Sequence, residues 1–152
     1  MKIGRWLIAA AALIMLAAAA GAQSLPDAVS GYLNASYAGW RIAPAANEYC
    51  SSEFRGTIGS GDFDGDARRD YVVKFVKGTK AYLIAFLDRR TRFAPFVLTS
   101  TPARDVRDWG MQVAAKGRMT TAGKLRNNGI LVGECASEAG VFVFQNGKFK
   151  AY

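Results

Sequence analysis

An α+β domain, predominantly β, is the fold class this sequence predicts, and three observations carry that reading. Beyond the apolar N-terminus, apolar residues follow a helical spacing over one short stretch. From Asp70 onward the period changes to two. Turn signals, with Asn146-Gly147 the strongest, then divide the chain into short antiparallel neighbours. Together they predict an N-terminal helix packed on one face of a mostly antiparallel meander sheet of about seven strands.

The first element is a targeting segment. Lys2 and Arg5 form a positive n-region, Trp6 to Ala20 is an apolar h-region, and Ala20-Gly21-Ala22 is a small-x-small cleavage site. An N-terminal anchor is the alternative, but the apolar run is about 15 residues against the roughly 20 that span a bilayer. The expectation is therefore a signal peptide over residues 1–22 and one β-rich domain over residues 23–152, secreted or periplasmic. Losing Lys2 and Arg5 takes the formal charge from +8 to +6. No later apolar stretch is long enough to cross a membrane as a helix.

The helix is expected over Ser24 to Ala38. Ser24 is the candidate cap, Pro26 lies in the first turn, Val29, Tyr32 and Leu33 share a face, and Gly39 stops it. Trp40 to Ala43 is a candidate short strand, and Pro44 to Thr57 reads as a loop carrying Cys50. In the run from Asp70, residues Tyr71, Val73 and Phe75 alternate with Val72, Lys74 and Val76. Lys77-Gly78-Thr79 turns the chain into Lys80 to Leu87, and Asp88 to Thr91 turns it into Arg92 to Leu98. Thr99 to Trp109 is polar, carries Pro102 and reads as a long loop. Strands are then expected at Met111–Lys116, Gly129–Ala136, Val141–Gln145 and Lys148–Tyr152, with Ser137-Glu138-Ala139 as one of the turns.

The chemistry lies between the Cys50 loop and the first long strand. Four of the eight aspartates, Asp62, Asp64, Asp66 and Asp70, fall at positions 1, 3, 5 and 9 of one nine-residue span. Alternating carboxylates in a tight loop converge on one centre, and calcium takes six to eight such hard oxygens. At position 7, Arg68 would contribute its backbone carbonyl. Without a cation the clustered carboxylates repel one another. Zinc is disfavoured because no sulfur or imidazole is nearby. The alternative is an Asp/Gly-rich turn that only hydrogen-bonds its own backbone. Ala67 stands at position 6, where a left-handed residue is expected, and Val73 at position 12 replaces the bidentate Glu of an EF-hand. A calcium site here is thus not an EF-hand, and its affinity is expected to be modest.

The stretch Gly61-Asp62-Phe63-Asp64-Gly65-Asp66-Ala67-Arg68-Arg69-Asp70-Tyr71-Val72-Val73 resembles the calcium-loop-then-strand signature of FG-GAP and VCBS-type repeats. The resemblance implies metal ligation by Asp62, Asp64, Asp66, the Arg68 carbonyl and Asp70. It covers this one stretch, and a propeller of at least four blades does not fit the chain length. The layout is more similar to exported single-domain bacterial proteins with one such loop.

Composition narrows the function further. Histidine is absent, which removes His-based triads, His-ligated zinc and the usual neutral-pH general base. Cys50 and Cys135 are the two cysteines, and export favours their pairing as a disulfide, leaving no thiol nucleophile. Arg89, Arg90 and Arg92 cluster at one predicted hairpin turn. Arg104 and Arg107 sit in the long loop, and Lys116, Arg118, Lys124 and Arg126 form a further basic stretch. These cations are read either as a solvated surface or as a polyanion-binding face. Phe142, Phe144 and Phe149 alternate as core residues do. The leading expectation is a calcium-stabilised exported binding or structural domain without catalytic activity, meeting an unnamed extracellular or envelope partner. A polyanion-binding module and a metal-dependent hydrolase using the Asp loop are the alternatives.

Overall fold

The computed structural model describes residues 24–135 and 139–152. The predicted signal peptide, with its cleavage site, and the predicted Ser137-Glu138 turn lie outside the described residues.

The chain is predominantly β, its sheets are antiparallel, and it has one α-helix among the described residues. The helix, α1, spans Asp27–Ser36 rather than the longer Ser24–Ala38 that was expected. Pro26 caps it in place of Ser24, its carbonyl accepting from the N–H of Val29 and Ser30, both at 3.0 Å. Gly39 turns the chain away at φ +80°, a conformation glycine adopts without steric cost.

Among the described residues eleven strands follow, more than the expected seven, and they form three sheets rather than one meander. The first sheet contains β1 (Arg41–Ile42), β2 (Ile58–Gly61), β3 (Asp70–Lys77), β4 (Lys80–Asp88) and β5 (Phe93–Pro102), in the order β1-β3-β4-β5. Both β1 and β2 pair with β3, β1 near Val76 and β2 from Val73 to Asp70, so they lie end to end along one edge. The second sheet contains β6 (Trp109–Ala114), β9 (Gly129–Glu134), β10 (Gly140–Gln145) and β11 (Lys148–Ala151), in the order β11-β10-β9-β6. A small hairpin of β7 (Met119–Thr120) and β8 (Gly123–Lys124) stands apart.

The two large sheets face one another across the main core. Val72, Val76, Leu83, Ala85 and Leu87 of the first sheet pack with Met111 and Ile130 of the second. A parallel bridge between Arg55 and Met111 joins the layers on one side. On another side Phe96 of β5 meets Phe144 and Phe149, each with ring centroids 5.6 Å away. The opposite face of the first sheet is covered by α1, whose Val29 and Leu33 pack on Val73, Phe75, Ile84 and Phe86. Strands β3 and β4 are therefore buried on both faces. Each fully buried Phe or Leu in such a layer stabilises the fold by about 1.5–3 kcal/mol relative to exposure.

Two further differences have local causes. The Thr99–Pro102 stretch, expected as loop, is the second half of β5; the register slips between Leu83 and Ile84, leaving Leu98 as the extra residue. Strand β2 was not foreseen because it reads Ile-Gly-Ser-Gly. Its glycine is required by packing, since a Cβ at Gly59 would lie 2.5 Å from Val113 Cγ2 and 3.1 Å from Val72 Cγ1.

Cys50 and Cys135 form a disulfide, with Cα atoms 4.7 Å apart and 85 residues between them in sequence. It ties the loop preceding β2 to the end of β9. No helix among the described residues is long and apolar enough to cross a membrane.

Candidate metal centre

The Asp loop is the connection from β2 to β3. Its turn is built by the first aspartate. Asp62 Oδ1 accepts from the N–H of Gly65 at 2.7 Å and of Asp66 at 3.0 Å, and Oδ2 accepts from the N–H of Ala67 at 3.0 Å. Gly65 at φ +84° and Ala67 at φ +64° take the left-handed conformation these bonds demand. The alanine there carries a Cβ penalty on the order of 1 kcal/mol that glycine would not.

Between the acidic residues, Phe63 points the other way. It is fully buried in the main core, and its ring centroid lies 6.3 Å from that of Phe149 on β11. The loop is thereby plugged into the end of the two-sheet core. A second anchor comes from the segment ahead of β9: the Asp62 N–H donates to Asn128 Oδ1 at 3.1 Å, and the Asn128 N–H donates to the Asp62 carbonyl at 3.0 Å.

Asp70 opens β3 and is fully buried. Its Oδ2 accepts from the Phe63 N–H and its Oδ1 from the Asp88 N–H, both at 2.8 Å. Burial is the main influence on its carboxyl and pushes the pKa up to about 6, against the pull of those two hydrogen bonds. The neighbouring Asp64 and Asp66 push in the same direction as burial. Asp64 is raised for the same first reason, burial, and then by Asp66, while Arg89 opposes the rise.

Three of the expected ligands converge. One carboxylate oxygen from each of Asp62, Asp64 and Asp70 lies within 4.8 Å of the others. Asp66 stands outside that group. Its Oδ1 accepts from the Arg68 N–H at 2.9 Å, and its Oδ2 is paired with the Arg68 guanidinium. Arg68 also donates from Nε to the Asp88 carbonyl at 2.9 Å, so its side chain ties the loop to the end of β4. Asp64 Oδ2 is paired with Arg89 at 2.6 Å.

The donor set suits a hard dication in kind: it is all oxygen, acidic and partly buried. Each Asp70 oxygen accepts one N–H and keeps a second lone pair, and so does Asp62 Oδ2. Three carboxylates fall short of a six- to eight-oxygen shell, so main-chain carbonyls, water or a reoriented Asp66 must complete it. The arginines at Asp64 and Asp66 compete with any such cation. The positioning roles of Arg89 and Asn128 were not foreseen, because they meet the loop from far along the chain and nothing local marks them.

Several of the basic residues are already paired with carboxylates. Arg89 is committed to Asp64, Arg68 to Asp66, and Arg104 to Asp105 at 3.4 Å. Comparison with models of protein families, with curated proteins and with solved structures returned no match.

Proposed function

We propose that this chain is an exported, calcium-stabilised domain that binds a partner or serves as an envelope component, without turnover. The observation that carries this reading is the buried Asp70 carboxylate beside Asp62 and Asp64, with no cationic side chain paired to Asp70 itself among the described residues. Arg89 reaches only Asp64, and a dication would supply the counter-charge that Asp70 lacks. The proposed ligands are Asp62, Asp64, Asp66, Asp70 and the Arg68 carbonyl, Asp66 turning from Arg68 to join the shell. The resemblance of this loop and strand to FG-GAP and VCBS-type repeats supports the same assignment. The Cys50–Cys135 disulfide is compatible with an oxidising compartment, and hence with export.

A tethered loop closed over the end of β3 favours a structural site over an open catalytic one. The affinity is expected in the roughly 10⁻⁴–10⁻³ M range of extracellular modules. Free calcium at about a hundred times the dissociation constant then stabilises the fold by about 2.7 kcal/mol. Thermal melts in excess calcium and in chelator test this. An upward shift of several degrees is expected, largely lost in Asp64→Asn and Asp66→Ala. Absence of both heat and melting shift at millimolar calcium would reduce the loop to an acidic turn.

A further inference from the structure

Beside the Asp loop lies a cavity of about 570 Å³, within the size range of small-molecule sites. Its walls come from the segment between β8 and β9 and from the β10–β11 hairpin. Lys124, Arg126 and Asn127 line one side, Asn146 the other, and Val143 and Phe144 the apolar part. Among the described residues the side chains of Lys124, Arg126, Asn127 and Asn146 have no hydrogen-bond or ion-pair partner. This separates the cavity from the larger one of about 730 Å³ by Thr79 and Arg104, where the arginine is already paired with Asp105.

We infer that this cavity binds an anionic saccharide. Two unpaired cations meet the charged group, a carboxylate or a sulfate. Two unpaired carboxamides, each donor and acceptor, match ring hydroxyls, which are both as well. The apolar part of the lining is small, since Val143 is almost wholly buried with Leu125 and its strand neighbour Phe144 packs toward the other core, so the charged and carboxamide groups carry the recognition. A nucleic acid is disfavoured: Phe144 is the one aromatic in the lining, and the Arg89 guanidinium already lies 5.8 Å from its ring centroid. Asn127 is held against the Asp loop, for a Cβ at Gly65 would fall 2.7 Å from its Oδ1. The proposal names a ligand class for the binding-domain reading but does not depend on calcium, so the two fail separately.

The test is calorimetric titration at low ionic strength, in chelator, of the folded domain with a carboxylated probe, tetragalacturonate, and a sulfated one, a heparin tetrasaccharide. At least one is expected to bind. Lys124→Gln with Arg126→Gln should weaken that binding by about tenfold or more, with the melting temperature unchanged. Asn127→Ala should weaken it too, while Arg90→Gln with Arg92→Gln, at the β4–β5 turn, should change it by less than about twofold. Which probe prevails distinguishes carboxylate from sulfate. No binding by either probe overturns the proposal, as does equal binding of a neutral tetrasaccharide, equal loss in the Arg90/Arg92 variant, or tighter binding of a single-stranded oligonucleotide.

Discussion

Asp64 and Arg89 meet across two turns, the carboxylate Oδ2 and the guanidinium 2.6 Å apart, with the Asp64 side chain almost wholly buried and that of Arg89 partly exposed. The arginine thus stands where a metal ligated by Asp64 would place positive charge. Removing it has opposite consequences with and without metal. In chelator, Arg89→Gln should lower stability by about 0.2–1 kcal/mol, the ordinary size of a partly exposed pair. In a calcium titration the same variant should bind more tightly than the wild-type chain, since a competing cation is gone. Calorimetry of the two proteins side by side reads both signs. Tighter binding by the wild type would show that Arg89 supports the site rather than competes for it.

Phe63 makes the acidic loop a part of the core. Phe63→Ala should cost about 3–5 kcal/mol, as large-to-small changes of buried aromatics do. Phe63→Leu should cost much less and keep the loop attached. Chemical denaturation measures both. A loss below about 1 kcal/mol for the alanine variant would mean that the loop moves independently of the two-sheet core.

Lys74 predicts a pH dependence. It is fully buried, its ammonium donates to the carbonyls of Trp109 at 3.0 Å and Val106 at 3.4 Å, and it lies 5.0 Å from the Trp109 ring centroid. Burial away from any carboxylate lowers its pKa to about 8. Between that value and its ordinary 10.5 the unfolded chain holds more protons than the folded one. Stability contributed by this group therefore rises with pH across the interval and is least below about 8. The difference in unfolding free energy between wild type and Lys74→Met, followed from pH 7 to pH 10, should show that rise in the wild type alone. Parallel curves would place the lysine's titration at its usual value.

The Cys50–Cys135 bond closes a loop of more than 80 residues, for which the chain-entropy estimate is about 4–5 kcal/mol. Cys135→Ser should lower the melting temperature by many degrees, and thiol labelling of denatured, unreduced wild type should find essentially none. A shift of a degree or two would mean that packing between the sheets alone determines stability.

Much of the first sheet was legible because its signals are local. Residues Tyr71 to Val76 announce a strand by composition and by their period of two, but a single sheet with a helix on one face gave no cover for the other. The structure buries Val72, Val73, Lys74, Phe75 and Val76 together, because α1 covers one side and the second sheet the other. Lys74 is where the pattern misleads most, since a lysine between valines reads as solvent-facing. Gly59 hides β2 for the opposite reason: a residue chosen for close sheet approach has no β propensity to display. In the candidate metal centre, Asp62, Asp64 and Asp70 were readable from their spacing. Asp66 fits the same spacing, yet Arg68, two residues on, holds it outside the group. The cavity lining was unreadable, because Lys124 and Asn146 meet only once β9 and β10 pair.

Chain order also has a kinetic consequence for the disulfide-tied pair of sheets. Strands β1 to β5 and α1 are complete before the chain reaches β6, and so are the three clustered carboxylates and Arg89. The β2–β3, β3–β4 and β4–β5 pairings within this half close short loops, whereas Arg55–Met111, Asp62–Asn128 and Cys50–Cys135 all await residues beyond 110. Folding is thus expected to run as an early, locally assembled half followed by a slow docking of the second sheet. The acidic cluster belongs to the early half, and its cost is incurred before the docked sheet can offset it. A cation present during folding should therefore speed the first phase more than it slows the unfolding of the finished protein.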